Sequence, residues 1–177
     1  MKVSFFLAAS AVWLTLAVAP ATGAETSSAQ AICESLGVRG AEPNARAKAC
    51  TEILAAGRLD PKQEAAARIN RGWAYGQAQR WAEARADYDR AIALDPRSTI
   101  PYNERALLNL RLGKLDAALR DYQQALKRAP NAPYSLYGRG LTYLRKGLAE
   151  PGRADLAMAR RLAPDIDDVF KSIGVTP

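Results

Sequence analysis

The chain of 177 residues is 49% hydrophobic and 24% charged, a balance that excludes an intrinsically disordered polymer and supplies enough apolar mass for one packed domain. It carries 25 Lys plus Arg against 18 Asp plus Glu, net +7, and no histidine, which removes the usual general base, histidine-dependent triads and most zinc sites. The positive excess concentrates in residues 65–164, where 18 basic residues meet 9 acidic ones; such a surface suits an acidic polymer, an anionic membrane or a solvated helix face.

The chain opens MKVSFFLAASAVWLTLAVAPATGAE, with Lys2 and then no charge before Glu25. A basic start, an apolar run to Ala19, the helix breaker Pro20 and a small-residue tail describe a secretory signal peptide over residues 1–24, cut after Ala24 or, second, after Ala21. An uncleaved anchor is the alternative, because the run approaches the roughly 20 residues that span a bilayer. No later segment is apolar enough to span one. The chain is thus expected in the periplasm or secreted, less so anchored in the inner membrane, and nucleic acid is not an expected partner.

Residues 25–43 contain Cys33, and Cys50 follows; the sequence has no other cysteine. In an oxidising compartment such a pair is expected as a disulfide, and closing a loop of this size contributes about 3 kcal/mol on the chain-entropy account. Two thiolates without histidine do not complete a zinc site.

From residue 65 the chain repeats. The endings DYDRAIALDP, DYQQALKRAP and DLAMARRLAP return every 34 residues, closing at Pro96, Pro130 and Pro164. A period of this size means stacked supersecondary units, here residues 65–98, 99–132 and 133–166, each with two helical apolar runs around a short turn. Gly72, Ala106 and Gly140 on the first helices and Ala84, Ala118 and Gly152 on the second let backbones approach, with Tyr88, Tyr122 and Leu156 filling the space beside them. Gly113 and Gly147 suit left-handed helix ends, and the prolines stop the second helices. Arg71, Arg105 and Arg139 recur too. They could form a ladder for an anion, but pairing with acids such as Asp87 or Asp121 along the hairpin seam is the favoured expectation.

The flanks read as partial units. One period upstream, Cys50, Leu54 and Gly57 align with Ala84, Tyr88 and Ala91, so residues 44–64 form a truncated unit. The segment around Ala29–Leu36 would cover it, tethered by Cys33–Cys50. After Pro164, the spacing of Ile166, Val169, Phe170 and Ile173 predicts a capping helix within residues 167–177.

The stretches RGWAY with WAEARADYDRAIALDP, and ERALLNLRLGKLDAALRDYQQALKRAP, resemble the tetratricopeptide repeat family. Arg68, Asn109 and the Pro151–Gly152 pair depart from its pattern. The resemblance implies an all-α, right-handed superhelical solenoid of helix-turn-helix repeats whose first helices line a concave groove for a protein or peptide. Carried over residue by residue, the groove takes Ile69, Asn70, Trp73 and Gln77 from the first unit. The second supplies Asn103, Glu104, Leu107 and Arg111, and the third Tyr134, Tyr137, Leu141 and Arg145. Tyr134 and Tyr137 are expected as exposed contact surface; Trp73 divides evenly between groove and core. The carboxylate-gripping set of some family members is incomplete, with Ile69, Ile100 and Gly138 in its basic positions and Glu104 in an amide position.

No glycine-rich phosphate loop or carboxylate cluster at ligand spacing is present. The expectation is a non-catalytic scaffold without cofactor or metal, binding its partner in the groove. The alternatives are a structural subunit of an envelope assembly using the convex face, and a basic binder of acidic polymer or membrane.

Overall fold

The computed structural model describes residues 23–34 and 42–176, and every regular element among them is helical. The expected leader lies outside these residues except for Gly23 and Ala24. Three antiparallel hairpins carry the fold: α3 (Pro61–Gln77) with α4 (Trp81–Leu94), α5 (Ile100–Arg111) with α6 (Leu115–Arg128), and α7 (Pro133–Arg145) with α8 (Ala149–Leu162). Ahead of them α2 (Pro43–Ala55) packs on α3 and α1 (Gly23–Glu34) packs on α2; behind them α9 (Ile166–Ser172) packs on α7 and α8.

Helix starts follow local chemistry. Pro43, Pro61, Pro101 and Pro133 sit in first turns, where the missing amide hydrogen is not needed. At α3, Asp60 Oδ1 accepts from the amides of Lys62 (2.8 Å) and Gln63 (2.9 Å), while Gln63 Oε1 accepts from the Asp60 amide at 3.0 Å. This capping box starts α3 four residues ahead of the repeat boundary drawn at Ala65.

Helix ends repeat one device. In each hairpin the first helix closes with an amide reaching back five residues: Arg80 to Tyr75 O, Lys114 to Asn109 O and Leu148 to Tyr143 O, at 2.8–2.9 Å. The preceding residue is left-handed, Gly113 at φ 70° and Gly147 at φ 78°, but in the first hairpin it is Gln79, at φ 58°. A side chain there costs about 1 kcal/mol or more relative to glycine. Gly174 ends α9 the same way, with the Val175 amide on Phe170 O at 2.9 Å and Val175 buried.

Between the two helices of each hairpin the recurrent arginine meets a buried aspartate through two parallel bonds. Arg71 donates to Asp87 at 2.7 and 2.7 Å, Arg105 to Asp121 at 2.9 and 2.6 Å, and Arg139 to Asp155 at 2.7 and 2.9 Å. These bidentate pairs hold the guanidinium charge strongly, raising the pKa of all three arginines above its usual value, chiefly through the aspartate hydrogen bonds. The arginines thus serve the seam, and no ladder is left for an anion.

Small residues set the closest approaches. In the third hairpin a Cβ on Gly140 would lie 3.0 Å from Gly152 O, and one on Gly152 would lie 2.9 Å from Gly140 O. Gly138 instead receives the Tyr122 ring, whose terminal atoms occupy the place a Cβ would take. The largest core runs from α5 through Tyr122, Tyr137 and Leu141 to Phe170 and Val175. A smaller one surrounds the Cys33–Cys50 disulfide, whose Cα atoms are 4.9 Å apart.

Candidate functional site: the concave face

The first helices α3, α5 and α7 line the concave side, as the resemblance implies, but its three units do not present equivalent surfaces. In the third unit α9 and the tail lie over it. Tyr137 is 1% exposed; its ring stands 4.5 Å from that of Phe170, and its hydroxyl donates to Asp167 Oδ1 at 2.5 Å. Asp167 also receives two bonds from Arg160, at 2.8 Å each. Arg160 first and Tyr137 second hold the Asp167 carboxyl down at about 2, while desolvation and then the bond to Asp167 push the Tyr137 hydroxyl up to about 12. Leu141 is buried as well, and Tyr134 packs on Phe170 at 4.7 Å. The expectation of exposed Tyr134 and Tyr137 is therefore corrected: Phe170 supplies the apolar surface against which both rings pack.

Other predicted groove residues also do structural work. Ile69 packs with Ala65 and Ala91 in a core. Asn103 Oδ1 accepts from Ser135 Oγ at 2.7 Å, joining α5 to α7. Asn70 is buried and lines a separate cavity of about 110 Å³ beside the disulfide. Exposed Arg145 reaches back to Leu110 O at 3.3 Å.

Trp73, Gln77, Glu104, Leu107 and Arg111 do come together. With Gly76, Trp81, Tyr88, Leu108, Tyr134 and Ile173 they line a cavity between α3 and α5 on the concave side. Arg46 of α2 stacks its guanidinium 4.8 Å from the centre of the Trp73 ring, so Trp73 is part wall and part interior. Arg111 donates to the backbone carbonyl of Ile173, which pins the tail at the other edge of the cavity. Leu107 and Leu108 are buried and form its floor.

Glu104 is the unusual member. No hydrogen bond or ion pair from a described residue reaches its carboxylate; protein packs around it and the remaining surface opens onto the cavity. Burial is the main reason its pKa is raised to about 7, with Arg111 on the same helix offsetting part of the shift. Burial, then the Glu104 charge, raises the Tyr88, Tyr122 and Tyr134 hydroxyls well above their usual value. The Tyr122 hydroxyl is fully buried with no hydrogen-bond partner among the described residues. In the sequence Glu104 stands out only as a charged residue amid the apolar face of α5. Its isolation depends on Tyr88, Tyr122 and Tyr134 from three other helices.

Among the described residues, no group of His, Cys, Asp and Glu side chains could hold a metal ion, and no helix is long and apolar enough to cross a membrane.

The arrangement of helices is similar to that of solved repeat proteins. MamA from Desulfovibrio magneticus RS-1, from residue 41 to its end, superimposes with a TM-score of 0.66 at 19% identity, over 87% of this chain and 84% of that one. Another MamA crystal structure gives 0.65 at 20% identity, over 80% and 77%. YrrB, described as a TPR protein with an unusual peptide-binding site, gives 0.60 at 19% identity, over 75% and 66%. At such identities the likeness concerns the fold. None of the curated proteins matches in sequence. Two family profiles, both described as tetratricopeptide repeat, match residues 40–99 and 71–135. Together they span more than half of the sequence, with the period, the hairpins and the seam all in agreement, and the chain belongs to the tetratricopeptide repeat family.

Proposed function

We propose that the chain is a non-catalytic interaction module of the cell envelope that binds a protein or peptide on the first two units of its concave face. The observation that carries this reading is the contrast along the groove. Its third unit is filled by α9 and the tail, whereas the cavity bounded by Trp73, Gln77, Glu104, Leu107 and Arg111 is open and mostly walled by aromatic and aliphatic groups. A cavity of this composition and size suits an extended segment that lies along the face and inserts the end of one side chain. An envelope location is supported by the leader pattern and by the oxidised Cys33–Cys50 pair.

A second reading rests on a convex hollow lined by Gln123, Leu126, Lys127, Pro130 and Arg139, which would suit a structural subunit or an acidic ligand. Photocrosslinkers at Gln77, on the groove rim, and at Gln123, on the convex side, separate the two. Capture of the same partner at Gln77 and not at Gln123 is the expected result. Capture at Gln123 alone overturns the groove reading, and loss of that capture at high salt would point to an electrostatic convex contact.

A further inference from the structure

A carboxylate with no hydrogen-bond or ion-pair partner in the wall of an aromatic cavity is costly, because desolvation disfavours its charge and a single more distant cation returns only part of the energy. Glu104 is in this position. The charged and titratable groups that face it are Arg111 on its own helix, Tyr88 from α4, Tyr122 from α6 and Tyr134 from α7. Arg111 is the single cation among them, and its guanidinium is turned to the Ile173 carbonyl. The phenols present π faces and hydroxyls, and Trp73 already accepts one cation, Arg46, on its ring. Aromatic walls around a carboxylate are suited to an ammonium group, which gains both the ion pair and the ring quadrupoles.

Size narrows the choice. The cavity offers about 30 Å³ of water-sized space, enough for roughly two such groups. That fits an ammonium with its last methylene, and is small for a planar guanidinium of four heavy atoms. We propose that the Glu104 cavity is a lysine-specific subsite, in which an extended partner segment places one lysine ammonium on the Glu104 carboxylate between Trp73, Tyr88 and Tyr134. The assignment rests on the groove reading above and adds the chemistry of the residue that the groove selects. A bound ammonium favours the ionised carboxylate, so binding displaces the proton that Glu104 holds at mildly acidic pH.

The probe is n-butylammonium, the end of a lysine side chain, with 1-butanol as its neutral counterpart and butylguanidinium as the arginine counterpart. Trp73 and Trp81 both line the cavity, so their indole N–H resonances report occupancy in the disulfide-bonded protein at constant ionic strength. The expected result is a saturable shift with n-butylammonium in the millimolar range, none with 1-butanol, and a weaker response to butylguanidinium. With Glu104 titrating at about 7, affinity should rise about tenfold from pH 6 to pH 8. Glu104→Gln should abolish the response while keeping the wild-type circular dichroism. The proposal is overturned by no saturable shift at about 100 mM n-butylammonium, by an equal response to 1-butanol, or by an unchanged response in the Gln variant. The 1-butanol comparison needs no variant. Gln77 crosslinking that persists in Glu104→Gln would keep the groove reading and remove the lysine subsite; an ammonium response without Gln77 crosslinking would do the reverse.

Discussion

Gly138 lies inside α7 and Gly76 in the last turn of α3, and replacing each by alanine should move stability in opposite directions. At Gly138 a Cβ would overlap the end of the Tyr122 ring, which is fully buried in the largest core. Overpacking of this kind costs about 1–3 kcal/mol, and the upper end applies where ring and helix backbone are both fixed. Subtracting the ~0.5–1 kcal/mol by which alanine favours a helix over glycine leaves a net loss of about 2 kcal/mol. At Gly76 nothing lies within 4 Å of the added carbon, so the propensity term stands alone as a gain of at most about 0.5–1 kcal/mol, the value for a helix interior. Urea unfolding followed at 222 nm should lower the midpoint for Gly138→Ala and raise it for Gly76→Ala at equal slope. The corresponding Tm shifts are about 4–8 °C down and about 1–4 °C up. Tyr122→Phe gives a further check. It removes a buried hydroxyl that has no partner and part of the overlap, so it should be neutral or stabilising alone and should recover some of the Gly138→Ala loss. Shifts of the same sign for the two glycine variants, or a Gly138→Ala protein melting with the wild type, would refute the reasoning.

Three other outcomes follow from the same structure. Because Glu104 titrates at about 7 in the fold and near 4.3 when unfolded, the folded state binds the extra proton between these values, so stability should fall as pH rises through that window. Glu104→Gln should flatten this dependence and be more stable than wild type at pH 8 by up to about 3 kcal/mol, read from denaturation midpoints across pH. Gln79→Gly should stabilise by about 0.5–1 kcal/mol, because relief at φ 58° exceeds the entropy of the added glycine; a lower Tm would contradict the strain assigned there. Asp121→Asn should cost about 2–3 kcal/mol in chemical denaturation, below the range for a wholly buried pair because Arg105 is 22% exposed and keeps its contact to Asp89.

Much of the architecture was legible in the sequence because its determinants are periodic. The repeat places a small residue, an aromatic and a proline at fixed offsets, and Arg71, Arg105 and Arg139 could be matched to seam acids by the same period. Phe170 and its neighbours announced a capping helix through their spacing. What that helix would cover was not legible: Tyr134 and Tyr137 occupy groove positions in the repeat register, and only the path of the chain after Pro164 brings Phe170 onto their rings. The start of α3 at Asp60 and the left-handed Gln79 were missed for a related reason, since both lie where the chain departs from its own repeat. Glu104 was visible as a groove residue, but its burial is the sum of side chains from three other helices, which no single unit encodes.

The seam has a consequence for how the protein comes to be made. Each arginine and its aspartate are 16 residues apart, so a hairpin can lock itself soon after both helices leave the ribosome, with little loop entropy to overcome. The bond from Arg111 to Ile173 spans 62 residues and awaits the end of the chain. The hairpins and the edge of the cavity at Arg111 are therefore completed at different times. The hairpins can form before the tail seats, and the cavity gains its Ile173 edge only when the last residues close over the third unit.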